Sequence, residues 1–484
     1  MTTRTRSGEG PLGLAQEAVA TLHERAVDAR DIALAAGARA VASVTVPVPA
    51  ELDLSAAVLR ARRREDRFFC LEQPDRGGFA LAGLGQVFMI EARGRERFEE
   101  VACAIRKLAR RTLADDPAAD PRRPSASGPV LTGGFAFAPD GGSSPDWSSL
   151  APALLVLPEL ALARQDGQAR LTVNVGVDGD EAPDALVDRV RLRLAELLPA
   201  SMPLLDPEPV ERPRVASALP PSHYEDAVAR AVERIEAGEL EKVVLAREVR
   251  VHAPRPLDPA PVFGGMREAF PACYCFCVGT PEVAFLGASP ELLIRREGSR
   301  AQTVALAGTT RRSADPAVDD HLGEQLARSP KERGEQAIVA RRIQRTLEGV
   351  SLWTAASEEP QLVKVQNVQH LGTPIRAQLR EPVAAVQLAG LLHPTPAVGG
   401  EPWEQAQPLI PALEGLDRGW YAGPVGWTDL WEDGEFFVAI RSALLRGAVA
   451  YLYAGDGIVR DSVPAEELAE TEVKLEALLP LLAA

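Results

Sequence analysis

The sequence predicts an α+β protein, and three observations carry that expectation. Short β-branched and apolar runs recur along most of the chain, while few long stretches show the 3.6-residue period of an amphipathic helix. Strand and helix signals do not alternate regularly, which argues against a βαβ series. No fixed-period repeat is visible.

Residues 1–45 are alanine-rich and spiked with arginine, and read as a loose tail followed by a helix. Residues 46–205 form the N-terminal part of the fold. β-like runs begin at Val46 and include Arg67-Phe68-Phe69-Cys70-Leu71 and Phe79-Ala80-Leu81-Ala82-Gly83. Asp115 to Gly128, rich in Pro, Asp and Arg, reads as a mobile loop. A hairpin follows, Leu157 to Arg164 and Ala169 to Val177, joined by Gln165-Asp166-Gly167-Gln168. Glu181 to Leu198 reads as helical, and the proline-rich Ser201 to Pro221 connects the halves. The second part, 222–484, opens with Ser222-His223-Tyr224-Glu225, the pattern of a capping box. Apolar residues then repeat at helical spacing to Gly238, followed by the strand-like Lys242-Val243-Val244-Leu245. Further strands are expected at Ala284–Leu286, Leu292–Arg295, Leu362–Val368, Phe436–Ile440 and Ala448–Tyr453.

Length and composition exclude several classes. A chain of 484 residues suffices for one large domain or two ordinary ones. Its 46% hydrophobic and 25% charged residues are those of a globular protein. A net charge of −15 argues against nucleic acid, whose phosphates need a basic surface. No run of eighteen apolar residues and no signal-peptide h-region occur, so no membrane span or secretion is expected and the cytoplasm is the default compartment. Cys273, Cys275 and Cys277 alternate and share one face of a strand, in a buried structural role rather than at a metal.

The chemistry concentrates in two glutamate-bearing segments. Pro464 suits the first position of a helix that Ser462 can cap, and Glu467, Glu470, Thr471 and Lys474 then fall on one face. Two acids, a hydroxyl and a lysine stacked together read as a hard-cation site, or as ion pairs on a surface helix. Lys331-Glu332-Arg333-Gly334-Glu335 opens a second helix, again with glutamates three apart. Mg²⁺ takes one or two carboxylates plus waters and substrate oxygens, which two such helices can supply. The loop Ala454-Gly455-Asp456-Gly457-Ile458-Val459 offers backbone N–H groups to an anion. Metal and anion ends side by side indicate a small, multiply charged organic acid. Lys242 opens an apolar strand, where burial would lower its pKa and make it a base; a lysine snorkelling to water fits equally. Glu291, after Ser289-Pro290, is a general acid of raised pKa or a turn cap. Arg441 needs a partner, either a substrate carboxylate or an internal acid. His370 is a structural histidine or a hydrogen-bond donor to ligand.

Taken in order, these segments resemble the chorismate-utilising enzymes: isochorismate, anthranilate, salicylate and aminodeoxychorismate synthases. The resemblance spans about 222–480. It rests on Lys242-Val-Val-Leu, Ala288-Ser-Pro-Glu-Leu, Leu306-Ala-Gly-Thr, Val368-Gln-His-Leu, His393-Pro-Thr-Pro-Ala-Val-Gly-Gly, Tyr421-Ala-Gly-Pro-Val-Gly-Trp, Ala439-Ile-Arg, Ala454-Gly-Asp-Gly-Ile-Val and Glu470-Thr-x-x-Lys. It implies two stacked, largely antiparallel sheets flanked by helices, with both halves intertwined in one domain. It implies that Lys242 deprotonates the water that attacks C2 of chorismate and that Glu291 protonates the departing C4 hydroxyl. By the same likeness Glu335 and Glu467 bind Mg²⁺ directly and Glu332 and Glu470 support it through water. Thr309, His370, Ala397, Tyr421, Arg441, Gly455, Gly457 and Lys474 match substrate-binding positions.

Within the family, Ala307 stands where aminodeoxychorismate synthases carry a lysine nucleophile, and the His393 motif resembles isochorismate synthases rather than ammonia-using members. Isochorismate synthesis is therefore expected, for menaquinone on the strength of the long N-terminal part, with no glutaminase subunit and a monomer or weak homodimer. The alternatives are a salicylate synthase, a siderophore-pathway enzyme, or a non-catalytic scaffold of the same fold. Gln336 departs from the histidine most relatives place after the metal-ligating Glu335.

Overall fold

A computed structural model describes residues 12–120, 122–205, 211–366 and 368–483. Two large sheets form the molecule. The first runs Arg214–Ser217, Lys242–His252, Val449–Ile458, Ser442–Arg446, Ala284–Ser289, Tyr274–Gly279, Phe68–Gln73, Phe79–Leu84, Leu160–Gln165, Gln168–Val177, Ala40–Pro47 and Thr112–Leu113, with Gly400–Glu401 added beside Lys242. The second runs Ser351–Ala356, Val368–Leu379, Arg300–Arg311, Leu292–Glu297, Gly434–Val438, Pro424–Asp429, Val130–Phe135, Ala153–Leu157 and Phe88–Ala92, with Gln361–Lys364 also on the Val368 strand. The pairings are antiparallel except for the short contact of Ala40–Pro47 with Thr112–Leu113. Strands from before residue 205 and after residue 222 sit in both sheets.

The period-2 alternation of strand side chains decides which core each residue enters. Phe69, Leu71, Tyr274, Phe276 and Val278 join one core, whereas Phe68, Cys70, Cys275 and Cys277 join the other. The first core lies between the sheets, where Phe437 meets Tyr274 and Phe276 with ring centroids 5.1 Å apart. The second is sealed by the helices Gln16–Ala36, Leu54–Ala61, Pro183–Glu196 and Pro259–Ala269. All five cysteines are free, and the three alternating ones are buried. One charge is carried into the inter-sheet core: Glu435 is fully buried and accepts from Arg76, Arg295 and the Tyr274 hydroxyl. Those partners keep Glu435 below the usual glutamate range although burial pushes it up.

Several local expectations are corrected. The Ala40–Pro47 strand starts before residue 46. The hairpin turn is only Asp166-Gly167, both at positive φ, so pairing continues to Gln165↔Gln168. The helix after the proline-rich segment starts at Pro221 with Pro220 as its N-cap, so Ser222 caps nothing; Pro221 fixes φ one residue early. Val463, not Ser462, is the N-cap of Pro464–Leu475, and the Ser462 hydroxyl accepts from the Val459 N–H instead. The segment 454–458 is the end of a strand rather than a loop. Arg441 lies beyond its expected strand, which ends at Val438. The tail before residue 12 and part of the proline-rich connection lie outside the described residues. Among the described residues no helix is long and apolar enough to cross a membrane.

Candidate active site

Two crossovers between the sheets create the site. Ala284–Ser289 belongs to the first sheet and Leu292–Glu297 to the second, so the Ser289-Pro290-Glu291 turn carries the chain across. Gly434–Val438 and Ser442–Arg446 make the reverse crossing through Arg441. The crossings are stitched together: the Val438 N–H donates to the Glu291 carbonyl at 3.0 Å and the Ala288 N–H to the Arg441 carbonyl at 3.1 Å. Arg441 is held at φ 50°, a strained setting for a residue with a Cβ. Its buried Nη2 has no hydrogen-bond partner. Desolvation lowers its pKa, against the pull of Tyr421, Glu470 and Asp456.

Lys242 begins its strand and is completely buried, so it does not snorkel. Its Nζ lies 2.7 Å from Glu335 Oε1, so a carboxylate shares the apolar setting that the sequence predicts. Gly400 and Gly457 make the room. A Cβ at Gly400 would meet the Lys242 carbonyl at 2.7 Å, and one at Gly457 would meet Glu335 Oε1 at 2.2 Å and Lys242 Cε at 2.7 Å. Gly455 likewise leaves space for the Tyr421 hydroxyl, 3.0 Å from where a Cβ would stand. Gly457 and Gly455 therefore admit side chains, Gly400 admits the neighbouring backbone, and Gly455 also offers its carbonyl to Lys474. Glu291, buried beside Lys242, has its pKa pushed up to about 8 by burial, with Lys242 and Arg441 pulling the other way. A carboxyl so placed is protonated at neutral pH and can donate.

Five carboxylates meet near this pair. One oxygen each of Asp456, Glu467 and Glu470 lies within 4.8 Å of the others. Glu332 and Glu335 approach from the helix Pro330–Glu348. Among the described residues three ammonium groups face them: Lys242 on Glu335, Lys331 on Glu467 at 2.8 Å, and Lys474 on Asp456 at 3.0 Å and Glu470 at 2.9 Å. Crowding shows in the titration. Burial and then Glu470 push Asp456 well above its usual range, with Glu467 and Glu335 adding to it. Glu332 rises to about 7 through burial, Glu335 and Glu470. Burial raises Glu470 too, but Lys474, together with hydrogen bonds from Asp456 and Thr309, more than offsets it. A compact excess of buried carboxylate oxygens is the donor set of a hard divalent cation, so these residues fit Mg²⁺.

The remaining residues of the expected substrate set divide. His370 is buried and neutral, its pKa near 3 through burial and the charges of Arg441 and Lys474. Its Nδ1 lies 3.1 Å from the Gly308 carbonyl, which can only accept, so Nδ1 carries the proton and the unpartnered Nε2 is an acceptor. Of the two roles open for His370, this tautomer makes Nε2 an acceptor toward a ligand rather than a donor. Thr309 follows a bulge at Gly308, with its N–H on Glu332 and its hydroxyl on His370. Tyr421 is buried and stacked on Tyr453 at 5.2 Å. Ala397 is half-buried in the turn before Gly400, beside the start of the Lys242 strand. Lys474 has its donors engaged by Asp456, Glu470 and the Gly455 carbonyl, an internal counter-ion rather than a free hand for substrate. Gln336 donates to Thr373 Oγ1 at 2.6 Å and so braces its helix against the second sheet. Asp456 and Lys331 were not singled out from the sequence. An acid flanked by glycines in an otherwise apolar strand is the signal for the first.

This arrangement, stacked antiparallel sheets with acids and amines gathered at their crossovers, is that of a small-molecule enzyme. The profile of the family described as chorismate binding enzyme matches residues 28–483, and the chain belongs to that family. It is 34% identical over 404 residues to the isochorismate synthase MenF of Bacillus subtilis (strain 168), covering 83% of this chain and 85% of that one. It is 36% identical over 417 residues to the salicylate biosynthesis isochorismate synthase of Pseudomonas aeruginosa, covering 85% and 84%. The solved structure of the menaquinone-specific isochorismate synthase MenF from Escherichia coli superposes with a TM-score of 0.76 at 27% identity, over 94% of this chain and 99% of that one.

Proposed function

We propose that the protein converts chorismate to isochorismate in a Mg²⁺-dependent reaction. The observation that carries this reading is the burial of Lys242 and Glu291 side by side, next to a carboxylate cluster and the unpartnered Arg441 Nη2. Lys242, acting as the neutral amine once its proton is shed, takes a proton from water as the water oxygen bonds to C2. The ring double bonds shift, the C4–oxygen bond breaks, and Glu291 gives its proton to the departing hydroxyl. One water enters and one leaves, so the net change is isomerisation. Arg441 is placed to hold a substrate carboxylate, and His370 Nε2 to accept from a substrate hydroxyl. Gly455, Gly457, Thr309, Ala397 and Tyr421 shape the space around them, and Lys474 neutralises acids behind it. Glu467 and Glu335 would hold the metal, with Asp456, Glu470 and Glu332 around them. When bound, it neutralises the ring carboxylate and draws electrons toward it.

Menaquinone synthesis is the pathway we favour, supported by the likeness to the menaquinone-specific enzyme over nearly the whole chain. Chromatography of the products from chorismate and Mg²⁺ tests the reading. Isochorismate alone is expected; salicylate with pyruvate would make the chain a salicylate synthase, and unchanged chorismate would reject catalysis.

The acid role of Glu291 has a pH signature. The carboxyl donates only while protonated, so kcat/KM is expected to fall as pH rises through about 8. Glu291→Gln should lose most of its activity and with it that limb. A descending limb that persists unchanged in Glu291→Gln would assign it to another group.

A further inference from the structure

The three ammonium groups facing the carboxylate cluster are not equivalent. Lys242 is fully buried and Lys474 is 7% exposed, whereas the Lys331 side chain is 27% exposed. Lys331 borders an open cleft of about 590 Å³ shared with Gly334, Glu335, Arg341, Arg460 and Asp461, so it alone has water to swing into. It is also badly placed for its own helix. Pro330 starts that helix and Ser329 caps it, which sets Lys331 at the positive end of the helix dipole. What holds it there is Glu467 Oε1, 2.8 Å away on a helix far along the chain. Glu467 is 2% exposed and belongs to the trio of carboxylates whose oxygens converge.

We infer that Lys331 is a displaceable placeholder for the divalent cation: it ties the Pro330 and Pro464 helices together through Glu467 in the metal-free protein and is released when the cation takes that oxygen. The inference rests on the metal site proposed above. The device keeps Glu467 from standing buried and uncompensated, and it weakens metal binding by the strength of the tie it must break. Release also removes a positive charge from the immediate surroundings of the incoming cation.

Titration with Mn²⁺ followed by electron paramagnetic resonance, supported by Mg²⁺ calorimetry, tests this without turnover. Wild-type protein is expected to bind one ion, and Glu467→Gln to lose it. Absence of that ion in the wild type, or retention in Glu467→Gln, would overturn the metal site and the placeholder together. Lys331→Met, which keeps the aliphatic stem, is expected to bind Mn²⁺ about tenfold more tightly or better. Its melting temperature should drop below wild type without metal and rejoin it at saturating Mg²⁺. Wild-type or weaker affinity in a folded Lys331→Met, or a melting deficit equal with and without metal, would overturn the placeholder alone.

Discussion

Lys242→Ala is expected to lower kcat by about two to four orders of magnitude, the usual contribution of a positioned base. The variant should remain folded, since the lost side chain is one strand-end residue and Gly400 already packs closely on the Lys242 backbone carbonyl. It leaves Glu335 buried without its 2.7 Å partner, so a lower melting temperature accompanies the loss. Lys242→Gln, which keeps a polar N–H group facing Glu335 in place of the ion pair, separates the two effects: stability recovers while turnover does not. Wild-type-like rates in either variant would remove the base assignment. A second readout needs no turnover. Lys242 pulls the Glu291 pKa downward, so its removal should move the Glu291 titration above about 8 in carboxyl-labelled NMR. An unmoved titration would show that the two groups do not face each other.

Chelation is the second large effect. EDTA should silence the enzyme reversibly, and Glu467→Gln at fixed Mg²⁺ should cost about a hundredfold or more, because a catalytic cation supplies several kcal/mol. Turnover that continues in metal-free buffer would reject the carboxylate cluster as a metal site. The pH dependence of metal binding follows from the same crowding. Asp456 and Glu332 are held above their usual range by burial and neighbouring acids, so they keep protons that a cation must expel. Affinity for Mg²⁺ should therefore fall as pH drops through about 7, and calorimetry over that range would measure it.

The α+β class and the two-sheet architecture were legible in the sequence, the first from pattern and the second only through resemblance. Patterning exposes a strand when one face is apolar, as with Tyr274, Phe276 and Val278 against Cys275 and Cys277. It does not say which strands pair, because pairing is non-local. The glutamates of both helices stood out because acids three residues apart break the expected mixture of charges. Asp456 did not, since one acid between glycines resembles a turn. The same glycines misled the reading of 454–458 as a loop; they are needed for close approach of Lys242, Glu335 and Tyr421, not for chain reversal. The role of His370 was open for a plainer reason: its tautomer is set by the Gly308 carbonyl, a contact no spacing reveals. The caps failed at Ser222 and Ser462 because prolines and a competing hydroxyl contact fixed the helix starts elsewhere.

The pairing of Val243 with Ile458, more than two hundred positions apart, has a bearing on biogenesis. A chain emerging from the ribosome must hold the Lys242 strand without its eventual neighbour until more than two hundred further residues are made. During that interval a β-rich nascent chain exposes an unpaired edge, the kind of surface that recruits other chains. Assembly is thereby biased toward completion after release, with a slow rate set by long loop closure. Fragments cut near residue 210 would each retain open edges in both layers, so complementation by co-expression, rather than solubility of either piece alone, is the outcome such a division should give.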